Sequence, residues 1–306
     1  MNENETQLTY RLKKEDEELA LRSLLRREFG VSTRFLRKLK EEDHILLDGV
    51  PTKAFEHGKR GQILQVEMPR ETSWFEPEDI PIDVVYEDED LIVVNKQPGL
   101  VVHPTNGKPN HTMVNGLTKR MMDRGEEYKI RLVNRLDMDT SGICIVAKNG
   151  YCQDFFMKQM EKNQVEKTYL AFVRGTLTGA GTIDLPIGRK ENDPYRRTVR
   201  EDGAPSVTHY RSLSTFEKNC SLVELVLETG RTHQIRVHMA HLGYPLISDH
   251  LYGAGEAEHD LIPRQALHAC AISFLHPRTR NRLRLEAPLP EDMIRLRGML
   301  GREYRE

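Results

Sequence analysis

The chain has little that could staple it or anchor it. Its 306 residues include four cysteines, Cys144, Cys152, Cys220 and Cys270, whose spacing fits neither a disulfide framework nor paired metal ligands. Three of them sit in apolar runs, so reduced core thiols are expected. No apolar stretch approaches the length of a bilayer span. The Glu-rich first twenty residues lack the basic start and apolar stretch of a signal peptide. A soluble, cytoplasmic, monomeric protein with no membrane partner is therefore expected. There is no internal repeat and no Gly-rich phosphate loop of the kinase or dinucleotide type. Nor does one charge dominate, since 45 basic residues stand against 47 acidic ones.

What is present is local. Phosphate contacts depend on clusters of Lys and Arg rather than on the sum, and Arg22 to Lys40 holds seven basic residues and one acid, Glu28. A second cluster, Arg189, Lys190, Arg196, Arg197 and Arg200, falls in a Gly/Pro-bounded loop. The pattern predicts a helix over Glu17–Arg27 and another starting after Gly30 with Ser32 as its cap. In the second helix Phe35, Leu36 and Leu39 form an apolar face, with Arg34, Arg37 and Lys38 on the other side. A basic helix face of this kind is solvated surface or a phosphate contact. Short strands follow at Ile45–Gly49 and Gln62–Met68. Residues 73–80 read as a linker between a small module at 1–72 and a larger domain at 81–306. In that domain a strand pair, Val84–Tyr86 and Leu91–Asn95, opens a pattern of short strands and few helices. Tyr151–Lys162 reads as a helix, Thr168–Val173 and Ser221–Glu228 as strands. The fold class expected is α+β with a mixed, mainly antiparallel central sheet.

The most informative stretch is Arg131 to Lys148, RLVNRLDMDTSGICIVAK. It places Asp137 two residues after Arg135 and ahead of Thr140, Ser141 and Gly142, where a carboxylate can face a cleft. An ionised carboxylate there can attack an electrophilic ring or sugar carbon. The same residues also read as a turn start before the apolar strand Ile143–Ala147. Ser141 lacks the context of a serine hydrolase nucleophile. His233 and His238 are five apart and cannot share a helix face, while His238 and His241 have no third ligand beside them. No metal site and no cofactor are expected.

NRLDMDTSG resembles the central motif of the RluA-type pseudouridine synthases, which isomerise uridine in ribosomal or transfer RNA. Further matching segments follow in the family's order: VVYEDEDLIVVNKQPGLVVHP, EKTYLAFVRG, PIGRKENDPYRR, TGRTHQIRVHMAHLGYPLISDHLYG and LHACAISFLHP. They cover nearly everything from residue 81 onward. Two positions depart from the pattern, Asn134 where the family usually has His and Gln97 where it usually has Pro. The module at 1–72 resembles the S4 RNA-binding module.

The resemblance implies a pseudouridine synthase fold with an RNA partner, ribosomal RNA of the large subunit by preference and transfer RNA as the alternative. It implies Asp137 as the catalytic carboxylate and Arg231 as its basic partner. Tyr169 becomes the ring that stacks on the uracil and helps remove the C5 proton. Arg135 becomes the side chain that fills the gap left by a flipped base. Arg34, Arg37, Lys38, Arg189, Arg196 and Arg197 are expected to hold RNA. Two other readings remain beside this one: a catalytically inactive RNA-binding or ribosome-assembly protein, and a glycoside hydrolase using Asp137 with Asp139.

Overall fold

The computed structural model describes residues 7–105, 107–253 and 258–305. Its first part comprises β1 (Gln7–Arg11), α1 (Leu21–Glu28), α2 (Thr33–Glu41), β2 (Ile45–Leu47), β3 (Val50–Pro51) and β4 (Ile63–Glu67). The strands form one sheet in the order β1-β4-β2-β3, all pairs antiparallel. Leu21, Leu24 and Leu25 of α1 and Phe35, Leu36 and Leu39 of α2 are buried against it. The Ser32 hydroxyl accepts from Phe35 N at 3.1 Å and caps α2 as the sequence predicts.

The first helix starts four residues later than its apolar spacing suggests. The buried Asp16 accepts from Lys13 N at 2.7 Å and from the Tyr10 hydroxyl at 2.9 Å, and pairs with Arg27. That knot holds the chain in a separate turn before Leu21.

The second part runs β5 (Val84–Glu87), β6 (Leu91–Lys96), α3 (Met113–Asp123), β7 (Arg131–Leu132), β8 (Ser141–Ala147), α4 (Gly150–Glu161) and β9 (Glu166–Arg174). It continues with β10 (Ala180–Asp184), β11 (Ile187–Arg189), β12 (Arg197–Val199), β13 (Val207–Phe216), β14 (Cys220–Leu227) and α5 (Gln234–His241). It closes with β15 (Leu267–Leu275), β16 (Arg282–Glu286), α6 (Glu291–Met299) and β17 (Glu303–Arg305). Eleven strands form one sheet with the spine β10-β13-β14-β9-β15-β8-β6-β5, while β11 and β12 make a separate hairpin. Among the strands of the described residues only β8 and β15 pair in parallel, so the fold is α+β with a mixed, mainly antiparallel sheet.

β8 is buried along its whole length, as expected of a strand covered on both faces. Gly142, at its start, has φ +109°, and a Cβ there would be driven into the Ala269 carbonyl of β15. Only glycine lets the two strands approach this closely.

The two parts are docked, not merely tethered. Tyr151 of α4 belongs to the core of the first part. Lys158 Nζ donates to Gly30 O at 2.6 Å, Arg278 to Gln7 O at 2.7 Å and Arg280 to Phe29 O at 2.9 Å. Glu71 pairs with Lys38 at 3.0 Å on one side and with Arg131 on the other.

Candidate active site

Asp137 stands in the loop that joins β7 to β8, its side chain partly exposed in a cleft. The same cleft is lined by Arg135, Thr140, Tyr169, Leu227, Gly230, Arg231, His233 and Arg236. The loop around Asp137 is both a turn and a site. Thr140 N donates to Asp137 O at 3.1 Å, while the carboxylate itself points to the cleft.

Two buried cations fix this loop through its backbone. Lys96, fully buried at the end of β6, donates to the carbonyls of Met138 at 2.8 Å, Leu100 at 2.9 Å and Gln97 at 2.9 Å. Arg264 donates to Asp139 O at 3.0 Å while pairing with Asp292 of α6 at 2.6 Å. Burial pulls the Lys96 ammonium down to about 8. Asp137 thus sits next to two residues whose carbonyls are held in place.

The basic partner of Asp137 is Arg236, not Arg231. Arg236 Nη1 donates to Asp137 Oδ2 at 3.1 Å, and its Nε and Nη2 donate to the buried Asp249 at 2.7 and 2.8 Å. Burial works against the charge of Arg236, but Asp249 and Asp137 outweigh it and hold the guanidinium protonated. Arg231 precedes α5, is exposed, and donates its Nε to Pro205 O at 3.2 Å. Arg236 lies in the first turn of α5, whose residues from Gln234 to Met239 are all buried. Both arginines belong to TGRTHQIR; Arg231 falls before the helix and Arg236 inside it, facing Asp249 of the later ISDH segment.

His233 has a left-handed backbone at φ 59°. Its Nε2 lies 3.8 Å from Asp137 Oδ2, and its Nδ1 is 2.9 Å from the Tyr252 hydroxyl. That hydroxyl accepts from Arg197 N at 2.8 Å, so its own proton is free to go to His233 Nδ1. Burial lowers the pKa of His233 and favours the neutral ring. His238, by contrast, is buried on Thr208 Oγ1 and Leu185 O at 2.8 and 3.0 Å.

Tyr169 is buried on β9 in one core with Ala171 and Val173 and faces the cleft. Burial first, and then the Asp137 charge, push its phenol well above the ordinary value. The phenol is therefore held in its protonated form at the cleft. Arg135 is exposed at the cleft rim, without an ion-pair partner among the described residues. Asn134 turns inward instead. Its amide donates to Ile143 O at 3.1 Å and accepts from Ile145 N at 2.7 Å, a donor-and-acceptor pairing with β8 that needs no charge.

The basic clusters divide. Arg189 and Arg197 stand directly opposite one another in the β11–β12 hairpin, a like-charge pairing that is destabilising without an anion. What reads as a loop in sequence is thus a strand pair, tied to the cleft through Arg197 N and Tyr252. Arg196 is 3.6 Å from Asp193. Arg34 and Arg37 line a groove of about 970 Å³ between α1 and α2, together with Arg22, Arg26 and Lys40. This is a larger hollow than the cleft at Asp137, and its open, cationic walls suit a backbone rather than a base. Lys38 pairs with Glu71 at 3.0 Å and Arg37 with Glu41 at 3.6 Å. The four cysteines are free thiols, three of them fully buried.

Residues 90–241 match the family model for RNA pseudouridylate synthase. The chain is 42% identical over 267 residues to the ribosomal large subunit pseudouridine synthase D of Xanthomonas campestris, covering 83% of this chain and 80% of that one. It is 39% identical to an uncharacterized RNA pseudouridine synthase of Bacillus subtilis, covering 88% and 95%. Among solved structures it resembles the human RNA pseudouridylate synthase domain containing 1 protein, with a TM-score of 0.57 at 27% identity over 70% of this chain and 86% of that one. With this sheet and this degree of identity along most of its length, the chain belongs to the RluA-type RNA pseudouridine synthases, and it is an isomerase.

Proposed function

We propose that the enzyme converts a uridine of large-subunit ribosomal RNA to pseudouridine, with Asp137 as the carboxylate that engages the flipped nucleotide. The reaction breaks the bond from the sugar to N1, turns the uracil and rejoins it through C5, which gives up its proton. Atoms are conserved and no electrons leave, so the chain's own side chains suffice. The observation that carries the reading is one carboxylate at an open cleft, held by the doubly engaged guanidinium of Arg236 at 3.1 Å and bordered by the ring of Tyr169. Arg236, itself fixed on Asp249, aims the carboxylate through a charge-assisted hydrogen bond. Tyr169 offers the uracil a stacking face, and Arg135 at the rim takes the place of the base in the strand.

The groove between α1 and α2, carrying Arg34 and Arg37, and the hairpin carrying Arg189, Arg196 and Arg197 hold the RNA backbone. The names of the relatives support the large ribosomal subunit as the target. Asn134 does not argue for an inactive relic, since its amide is bonded to β8 rather than to the cleft. Asp139 does not complete a hydrolase pair, because it is absent from the residues lining the cleft.

The test is pseudouridine formation in a large-subunit ribosomal RNA transcript. Asp137→Ala should abolish turnover in a protein that still unfolds cooperatively; turnover retained by the folded variant refutes the assignment. Modification maps of cells with and without the gene should differ in large-subunit ribosomal RNA. A difference confined to transfer RNA would move the target.

A further inference from the structure

Lys167 lies against the turn that carries Arg231, beside the catalytic cleft that Arg231 lines, and feels its charge. Lys167 is two residues before Tyr169 on β9 and so emerges from the same face of the strand. Its Nζ lies against the turn that leads into α5, 3.4 Å from Thr229 O and 3.8 Å from where a Cβ on Gly230 would stand. Arg231 uses only its Nε, on Pro205 O. Among the described residues neither cation forms an ion pair, whereas their neighbours do: Arg236 has Asp137 and Asp249, Arg200 has Asp202, and Arg196 has Asp193. The acids nearest in sequence are engaged elsewhere, Glu166 lying 3.6 Å from Arg284 and Glu228 accepting from His209 at 2.7 Å.

Such a pair is costly as it stands. Burial, with the field of Arg231 added, brings the Lys167 ammonium down to about 8, so each cation would be relieved by an anion placed between them. The turn joining them carries Gly230, whose bare backbone lets a bulky group come close. A guanidinium with both terminal nitrogens unengaged and a compact ammonium together match the oxygens of a phosphodiester. Gly230 and Arg231 line the same cleft as Asp137, which places that anion next to the reacting nucleotide.

We propose that Lys167 and Arg231, bridged by the Gly230 turn, form a subsite that holds a single phosphodiester of the RNA strand beside the nucleotide seated on Asp137. This rests on the reading of the cleft as the RNA site, and it gives Arg231 an electrostatic task in place of pairing with Asp137.

The experiment measures binding of a large-subunit ribosomal RNA transcript between about 50 and 200 mM KCl. Lys167→Met and Arg231→Met should each flatten the slope of log affinity against log salt by about 0.7, the share of one single-stranded phosphate. The double variant should lose that same share once, and Lys167→Arg should keep it. Unaltered slopes in both folded single variants overturn the proposal, and a doubled loss in the double variant shows two separate phosphates and overturns the shared subsite. Should either Met variant fail to fold, Lys167→Gln and Arg231→Gln decide by the same criterion. Pseudouridine formation by the wild type on the same transcript is followed in parallel. If none forms while the slopes drop as stated, the functional reading fails and the subsite stands; product with unaltered slopes removes the subsite alone.

Discussion

Replacing Lys96 by Met should leave stability nearly unchanged at neutral pH and lower it at alkaline pH. The ammonium sits fully buried with its pKa brought down to about 8 by desolvation, so carrying the charge in the folded state costs roughly 3 kcal/mol. Methionine removes that cost. It also leaves the carbonyls of Gln97, Leu100 and Met138 without their donor, at about 1 kcal/mol each or somewhat more. At pH 7 the two effects nearly cancel. Between about pH 8 and 10.5 the unfolded chain keeps the lysine proton that the folded chain has released, so wild-type stability rises with pH across this window. The variant has no such proton, and its deficit should widen by about 2.5 kcal/mol from pH 7 to pH 10. Lys167, which also titrates near 8, is common to both proteins and drops out of the difference. Urea unfolding at the two pH values measures it; a difference independent of pH would refute the reasoning. Activity should not follow stability. Losing the anchor on Met138 O should reduce turnover by about 10- to 100-fold at pH 7, because a displacement of about 1 Å at a reacting group costs that much.

Two further outcomes follow from packing and charge. Gly142→Ala should fail to give soluble protein, or lose more than about 3 kcal/mol in urea, because its Cβ meets the Ala269 carbonyl and its φ is +109°. Asp88 is drawn down to about 2, burial being outweighed by His276 at 2.6 Å, the Tyr86 hydroxyl at 2.7 Å and two backbone amides. A depressed carboxyl stabilises above its unfolded value and loses this as pH falls toward its folded one, so the advantage of wild type over Asp88→Asn should shrink by about 1.5 kcal/mol between pH 5 and pH 2.5.

Strands with strong patterning were legible from sequence. The alternation around Val223, Leu225 and Leu227 and the apolar run of β8 lie where they were expected, and Ser32 caps its helix. β1 was not legible, because QLTYR carries too few apolar positions to show a period and is a strand only through its pairing with β4. In the cleft, Asp137, Tyr169 and Arg135 came from the motif. The partner of Asp137 was misplaced because Arg231 and Arg236 share one segment, and only the start of α5, set by the left-handed His233, decides which arginine turns inward. Lys96 and Asp249 fall in segments that match the family, but nothing in those segments names their partners, and Arg264 lies outside them. Arg264 reaches Asp139 across 125 residues, Lys96 reaches Met138 across 42 and Asp249 reaches Arg236 across 13, and no spacing in the chain announces these pairings.

The clamp on the carbonyls of Met138 and Asp139 has a consequence for how binding energy is used. Because Lys96 and Arg264 organise the reactive loop as the chain folds, the loss of disorder there is settled before any RNA arrives. Under the proposed function, affinity gained along the cationic surfaces is then left over for prying a nucleotide out of its stack, a rearrangement that falls to the nucleic acid.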